Sequence, residues 1–229
     1  MTRILLTGLI IFLFHFITSA QFKKGDILLG GQFSYSHSSN NSFQPAATPP
    51  QNDQKFDYGN FTISAGKSIN ENSVFGINLS YSQQSQKNYF YNGYNPLEYK
   101  NYNYAIGIFF RKYKPLGKEF FIFGEGNAFY NWSTQSGKDT LGFKTLTGSG
   151  WGAGIVFFPG IAYKISKHFF IEITIPNLFA AGYSKLDFVY QDQSSPPSWQ
   201  SSNNESFSLT TSLSSNPLNA LGIGFRLIL

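Results

Sequence analysis

Four charged residues lie inside segments that otherwise carry small or apolar side chains, and they are the first candidates for chemistry. Glu125 and Glu172 belong to two of these segments, and Arg111 and Arg226 belong to two others. An unpaired charge in a confined interior is strongly unfavourable, so we expect these residues to form a network of ion pairs and hydrogen bonds. The alternative is a carboxylate that catalyses a reaction or handles protons, because perturbed carboxylates occur in both settings.

A histidine and a serine offer a second kind of chemistry, nucleophilic catalysis. His37 and Ser39 have suitable residue types, but nothing near them in the sequence supplies a recognisable orienting acid. Three histidines, no cysteine and scattered acids give no spacing typical of metal ligands. The sequence therefore predicts no catalytic residues, no metal site and no cofactor.

The composition limits the class of protein that could carry these residues. Of 229 residues, 13% are charged and 18% are aromatic, whereas soluble domains carry roughly 25% charge. The mean hydropathy of −0.18 is too low for a bundle of membrane-spanning helices. The absence of cysteine excludes disulfides and thiolate metal sites. The length suits a single all-β domain.

The first twenty residues have the pattern of a secretory signal peptide. Arg3 precedes an apolar run that ends in the small residues Thr18, Ser19 and Ala20. We expect cleavage after Ala20, which leaves residues 21–229 as one domain. The alternative is an uncleaved N-terminal anchor.

Alternation of apolar with small or polar residues recurs after the signal. In the segment 73–82, Phe75, Ile77 and Leu79 alternate with small and polar residues, which is typical of a strand with one apolar face. The same pattern predicts eight strands, near 26–37, 56–68, 73–85, 101–113, 119–132, 146–164, 168–186 and 206–229. An even number of strands is typical of a closed barrel in the outer membrane.

The connections between the predicted strands alternate strictly between short and long. The short ones span 69–72, 114–118 and 165–167, and the long polar ones span 38–55, 86–100, 133–145 and 187–205. An up-and-down transmembrane barrel has this asymmetry, with short periplasmic turns and long extracellular loops. The fold class predicted is thus all-β, an eight-stranded antiparallel up-and-down transmembrane β-barrel.

The chemistry of the two faces distinguishes a membrane barrel from a soluble one. The polar face is mostly small and uncharged, which suits a narrow lumen, whereas a surface in water carries interspersed lysine and glutamate. Aromatic residues near the loop ends of the apolar face predict a girdle at the membrane boundary. They are Tyr35, Tyr81, Tyr104, Tyr130 and Trp132. The alternative is that aromatics merely suit any strand.

The predicted loops and rims suggest partners. Candidate loop contacts are Phe43, Tyr89, Phe90, Tyr91, Tyr94 and Trp199, although packing within the loops is the simpler alternative. Basic residues concentrate at the short-turn end, where they could hold anionic lipid headgroups of the outer membrane. The loops lack a basic cluster, which argues against nucleic acid as a partner.

Short motifs along the chain resemble a known family. They are Lys24 to Gly31 at the first predicted strand, Phe123 to Gly126, Phe158 to Tyr163, Phe170 to Glu172, and Leu221 to Arg226. The chain resembles the outer-membrane β-barrel domain proteins of Bacteroidota, often called a porin family, and more loosely OmpX and OmpA-type barrels. This resemblance implies a Gram-negative outer-membrane location and recognition by the outer-membrane assembly machinery. The family usually ends in Phe or Tyr, whereas this chain ends in Leu229.

Two prolines predict irregular strands, and four phenylalanines predict a filled lumen. Pro159 and Pro176 lack the N–H that a strand ladder needs, so each predicts a bulge or a strand edge. Phe109, Phe121, Phe123 and Phe129 would point inward and help to close a narrow lumen.

The function expected from these features is that of a non-catalytic integral outer-membrane protein in envelope structure, surface-loop binding or adhesion. The first alternative is a narrow pore for small solutes. The second is a soluble periplasmic ligand-binding barrel, whose faces would be reversed.

Overall fold

The computed structural model describes residues 22–42, 52–88, 98–139, 142–175, 178–192, 198–211 and 221–229. Its regular elements are ten antiparallel β-strands: β1 (Ile27–Ser42), β2 (Asn52–Asn70), β3 (Ser73–Asn88), β4 (Glu98–Pro115), β5 (Phe120–Lys138), β6 (Lys144–Lys164), β7 (Phe169–Thr174), β8 (Phe179–Asp192), β9 (Ser198–Thr210) and β10 (Gly222–Ile228). Within the described ranges, no helix is both long and apolar enough to cross a membrane.

Eight of these strands form a closed ring at the end that carries the short turns. Strands β1 to β7 pair in sequence, and β10 pairs with β7 on one side and with β1 on the other. Leu28 stands opposite Ile228, and Phe33 opposite Ile223, along the pairing that closes the ring. Closure at this end removes the unpaired edges that could not be tolerated in lipid, so the chain has the architecture of a transmembrane barrel.

The opposite end of the barrel is built differently. There β8 replaces β7 as the partner of β6, and β9 pairs with β8. Among the described residues, β9 has a partner strand on one side, β8, and none on the other. The part of β1 beyond Phe33 likewise has no partner on the side where β10 pairs with the earlier part of the strand. The wall is therefore continuous around the short-turn end and open between β1 and β9 at the long-loop end.

The last two predicted strands are each divided in the structure. The predicted strand 168–186 is β7 and β8, and the predicted strand 206–229 is β9 and β10. Strand β6 pairs with β7 as far as Gly160 opposite Thr174, and with β8 from Phe157 opposite Phe179, so the register shifts at residues 158–159 of β6. Pro159 lies at this register shift, and its carbonyl oxygen accepts the Ile175 N–H at 3.0 Å. The irregularity expected at Pro159 is therefore present, whereas Pro176 falls outside the described residues.

Strands extend into all four of the long loops that were predicted, so the predicted bounds of these loops were wrong. Strands β1 and β2 reach into 38–55, β3 and β4 into 86–100, and β5 and β6 into 133–145. The largest error is 187–205, which contains the end of β8 and the first half of β9. The ends of these strands are rich in serine, asparagine and glutamine, so the sequence shows no alternation of apolar residues there. Backbone pairing between neighbouring strands nevertheless continues through them.

The two faces of the wall have the predicted chemistry. In β4, Tyr104, Ile106, Ile108 and Phe110 are 41–51% exposed on the outer surface. The residues between and after them that point into the lumen, Gly107, Phe109, Arg111 and Tyr113, are buried. An apolar outer surface around a lumen is the arrangement of a membrane barrel and the reverse of a soluble carrier.

Candidate functional site

An apolar cluster fills the lumen at the short-turn end. Phe22 lies before β1 and enters this end of the ring, where its ring centroid is 4.7 Å from that of Tyr113 and 5.7 Å from that of Phe170. The floor of the barrel, as we name this cluster, consists of ten residues that are each at most 6% exposed: Phe22, Leu28, Val74, Phe109, Tyr113, Phe121, Phe123, Ala162, Phe170 and Ile228. Close packing of these side chains leaves the lumen closed there.

The four charged residues singled out in the sequence meet directly above the floor. Arg111 Nε donates to Glu125 Oε2 at 2.5 Å, and Arg111 Nη1 donates to Glu172 Oε1 and Oε2 at 2.6 and 2.7 Å. Arg226 Nε lies 3.3 Å from Glu172 Oε1, and Arg226 Nη2 lies 3.6 Å from Glu125 Oε2. Each acid thus contacts both arginines, and we call this arrangement the charge ring.

The positions of the four residues follow from strand register. Arg111 on β4 and Glu125 on β5 are directly opposite each other. Glu172 on β7 and Arg226 on β10 are diagonal neighbours, since Glu172 pairs with Gly224 and Arg226 with Phe170. The contacts between Arg111 and Glu172 therefore cross the lumen and tie two separate parts of the wall together.

Neighbouring groups complete the charge ring. The Tyr113 hydroxyl donates to Glu172 Oε1 at 3.2 Å, and Arg226 Nη1 donates to Ser64 Oγ at 2.8 Å. A Cβ on Gly30 would lie 2.8 Å from Arg226 Nη1, so glycine at this position leaves room for the guanidinium. Tyr113 was not among the predicted site residues, although it follows Arg111 by two residues on the same face of a strand.

Aromatic rings flank the two guanidinium groups. Arg111 Cζ lies 4.0 Å from the centroid of the Phe123 ring, and Arg226 Cζ lies 5.5 Å from that of Phe109. All four charged residues are at most 6% exposed. Two positive and two negative charges cancel, and each hydrogen bonds or pairs with an opposite charge, which is the condition for burying charge without a large penalty.

Residues of the predicted girdle lie on the outer surface near the long-loop end. Tyr35, Tyr81, Tyr104, Tyr130 and Trp132 are 37–57% exposed. The Tyr104 ring contacts those of Tyr81 and Trp132, at centroid distances of 5.2 and 6.0 Å. Trp151 and Tyr183 extend the band onto β6 and β8, with Trp151 6.1 Å from Tyr130 and 5.5 Å from Tyr183. Trp151 was not among the predicted girdle residues, although the alternation within its strand places it on the apolar face.

The predicted loop contacts are mostly beyond the described residues. Phe43, Tyr89, Phe90, Tyr91 and Tyr94 all fall outside the described ranges. Trp199 lies on β9, and it is 55% exposed.

A small polar cluster on the outer surface was not predicted. Asp57 Oδ1 accepts the Tyr35 hydroxyl at 2.8 Å and lies 2.7 Å from His37 Nδ1. His37 and Asp57 are directly opposite on β1 and β2, so cross-strand register rather than sequence proximity joins them. Among the described contacts, no serine hydroxyl hydrogen bonds to His37. In the same residues, no group of three or more acidic or histidine side chains could hold a metal ion.

Comparisons with known proteins give a matching family model and several solved structures to which the chain is similar. A family model described as "Outer membrane protein beta-barrel domain" matches residues 9–210. A search of curated proteins gives no match. Similar solved structures include OprG from Pseudomonas aeruginosa, with 14% identity, coverage of 91% of this chain and 98% of that one, and a TM-score of 0.46.

Two further solved structures show weaker similarity. Neisserial surface protein A has 15% identity, coverage of 89% of this chain and 96% of that one, and a TM-score of 0.39. Ail, the attachment invasion locus protein of Yersinia pestis, has 12% identity, coverage of 90% and 100%, and a TM-score of 0.34.

Proposed function

Because the chain belongs to the outer membrane protein beta-barrel domain family and is a Gram-negative outer-membrane protein, we propose that it is a non-catalytic envelope protein that acts by binding at the cell surface. The observation that carries this proposal is the closed floor. The buried rings of Phe109 and Phe121, together with Arg111 of the charge ring, occupy the lumen where a solute would have to pass.

In this proposal, the part of the protein that binds is the extracellular side of the barrel. The outer halves of the strands extend beyond the aromatic girdle, and Trp199 is exposed there on β9. Exposed aromatic residues favour protein interfaces because they bury a large area at low cost in side-chain entropy. Outer-membrane lipids around the apolar wall and the outer-membrane assembly machinery remain proposed partners.

The alternative function, a narrow pore, requires the floor to open. An eight-stranded barrel is just wide enough for its side chains to fill the interior, and the floor of this barrel is filled. A pore would need the aromatic cluster and the charge ring to move together, since Phe123 packs against Arg111. The closed lumen therefore supports surface binding over solute passage.

Ion conductance in planar bilayers tests the proposal. We expect the wild-type protein to show no steady current above that of protein-free bilayers. The variant Phe121→Ala/Phe123→Ala removes two rings from the floor and should show more current than the wild type. A steady current through the wild-type protein would overturn the proposal in favour of the pore.

A retention assay tests the surface role directly. Cells that produce the Trp199→Ser variant should be retained on glass less than cells that produce the wild type at equal surface abundance. The matched control is Tyr130→Ser, which alters the girdle on β5, a strand that pairs with β4 and β6 and not with β9. Equal retention of all three strains would argue against a binding contribution from Trp199.

A further inference from the structure

A cavity of about 320 Å³ lies in the lumen directly above the charge ring. Strands β1 to β6 contribute its wall, and Glu125 and Arg226 of the charge ring contribute its base. We name this cavity the cup. It is closed below by the floor, and the side formed by Ser34 and Ser36 adjoins the unpaired edge of β1. A ligand could therefore enter the cup from the extracellular side.

The wall of the cup is polar but uncharged. Among the described residues that line it, Glu125 and Arg226 are the charged ones, and both already pair within the charge ring. The other polar groups are hydroxyls and amides from neighbouring strands, including Asn60, Thr62, Asn78, Ser80, Asn103 and Asn127. Such a wall offers hydrogen bonds without an unpaired charge, which favours a neutral ligand with many polar groups.

Hydrogen bonds between strands hold several of these groups in position. Thr62 Oγ1 lies 2.8 Å from Ser80 Oγ, and it donates to Asn60 Oδ1 at 3.1 Å. On the far side, Asn131 Nδ2 donates to Asn103 Oδ1 at 2.7 Å. A binding site whose side chains are already oriented loses less conformational freedom when a ligand binds.

Two asparagines present side-chain amides to the cup. Asn78 is 4% exposed and lines the cup. Asn127 Oδ1 is buried with no hydrogen-bond partner. A Cβ on Gly107 would lie 2.5 Å from Asn127 Oδ1 and 2.7 Å from Asn78 Oδ1, so both amides converge over this glycine. Buried polar groups are normally paired, and an unpaired one is a candidate contact for a ligand.

Apolar rings complete the lining. Phe129 and Phe158 contribute side chains to the same cavity as the two asparagines. A sugar ring has hydroxyl groups around its edge and C–H groups on its faces, so it can hydrogen bond to amides while packing against an aromatic ring. A hydroxyl both donates and accepts, and it can therefore satisfy either end of an asparagine amide.

We propose that the cup binds one neutral saccharide unit through Asn78 and Asn127. This inference rests on the proposed function, since it requires a lumen that is closed below and reached from the cell surface. A charged sugar is disfavoured because the two charges at the base of the cup already neutralise each other. A lipid chain is disfavoured because it would leave the buried amides unpaired.

Saturation-transfer NMR tests the inference on the full-length protein in lauryldimethylamine oxide, a detergent without a sugar headgroup. The ligands are glucose and N-acetylglucosamine, and gluconate serves as the anionic control. We expect saturation of at least one neutral sugar and none of gluconate. In Asn78→Leu/Asn127→Leu, binding should weaken by about tenfold or more, because two hydrogen-bonding groups are replaced by apolar ones of similar size.

The matched control variant is Asn101→Leu. Asn101 also has a buried side-chain oxygen without a partner, but it does not line the cup. Its replacement should leave sugar binding unchanged. Ser80→Leu, which places a larger side chain in the cup, provides a second test if the double variant fails to fold, as judged by its heat-dependent mobility in SDS.

The possible outcomes separate this inference from the proposed function. Absence of saturation by both neutral sugars, equal saturation by gluconate, or equal binding by the wild type and a folded cup variant would overturn the inference. None of these results depends on conductance. A conducting wild-type protein would instead overturn the proposed function.

Discussion

Glu172 contacts both arginines of the charge ring and the hydroxyl group of Tyr113. Its carboxylate accepts hydrogen bonds from Arg111, Arg226 and Tyr113, and its side chain is 4% exposed. Removing this charge would leave two buried arginines to share Glu125. The residue therefore balances charge in the lumen as well as linking β4 to β7 and β10.

We expect Glu172→Gln to lower the free energy of unfolding by about 3–5 kcal/mol, because removing one partner of a buried ion pair leaves the other charge uncompensated. Unfolding by urea in phospholipid vesicles measures this change. Glu71→Gln is the matched control, because Glu71 lies in an exposed turn between β2 and β3. Its effect should stay within about 0.5 kcal/mol.

A double variant tests whether charge balance is the cause. Glu172→Gln/Arg226→Met removes one charge of each sign and leaves Arg111 paired with Glu125. We expect it to be more stable than the sum of the two single variants predicts, since neighbouring members of one network couple. Strict additivity of the three free energies would contradict a shared network.

At the scale of the strands, alternation in the sequence predicted which residues face the lumen. Arg111, Glu125, Glu172 and Arg226 could be assigned to one face because a strand has a period of two. Which of them touch could not be predicted, because the contacts depend on register and on a crossing of the lumen. The pair His37 and Asp57 illustrates the same limit, since 20 residues separate two side chains that are opposite across a strand pair.

The ends of the strands were predicted less well than their faces. Residues 187–205 are rich in serine, asparagine and proline, which favour turns, yet much of this segment pairs as β8 and β9. Ladder hydrogen bonds along a hairpin outweighed the local preferences of these side chains. The sequence likewise placed an irregularity at Pro159 but gave no sign that the last predicted strand divides between two different partners.

The outward face of β4 provides a test at this scale. Ile108 lies midway between Tyr104 of the girdle and the short-turn end, and it is 51% exposed. We expect Ile108→Lys to lower the free energy of unfolding in vesicles by about 2–4 kcal/mol, because a lysine at mid-membrane depth is poorly solvated.

Depth is the variable that the control isolates. Tyr104→Lys places the same charge in the girdle, which we predict to lie at the membrane boundary, and we expect a cost of about 0–1 kcal/mol there. Equal losses of unfolding free energy at the two positions would mean that residues 108 and 104 do not lie at different depths in a bilayer. The absence of native cysteine also allows each position to be labelled singly to report its depth.

At the scale of the whole molecule, one pairing closes the barrel. The first strand, β1, meets the last, β10, over six residue pairs from Leu28 to Phe33. Everything that depends on a closed wall, including the packed floor, depends on this short ladder. Beyond it the wall is open between β1 and β9, which gives the barrel a closed end and an open end.

An engineered disulfide tests this closure. Gln32 is opposite Gly224, and a Cβ on Gly224 would lie 3.7 Å from Gln32 Cβ, within the range of about 3.5–4.5 Å that a disulfide requires. We expect Gln32→Cys/Gly224→Cys to cross-link under mild oxidation. Non-reducing SDS gels after boiling would then show a more mobile band that reverts on reduction.

The two facing edges at the open end supply the control. Ser36→Cys/Ser206→Cys joins β1 to β9, which do not pair among the described residues. We expect this variant to stay reduced under the same conditions. Cross-linking of this pair instead of the first would show that the ring closes through β9.

The neutrality of the charge ring has a consequence for the habitats in which the protein would remain folded. Salt in the medium weakens exposed ion pairs, but it screens buried ones much less. A Donnan potential builds up across an outer membrane when the external ionic strength falls. Because the charge ring has no net charge, this potential exerts no net force on it. The contribution of the charge ring to folding should therefore change little with salinity, from fresh water to brine.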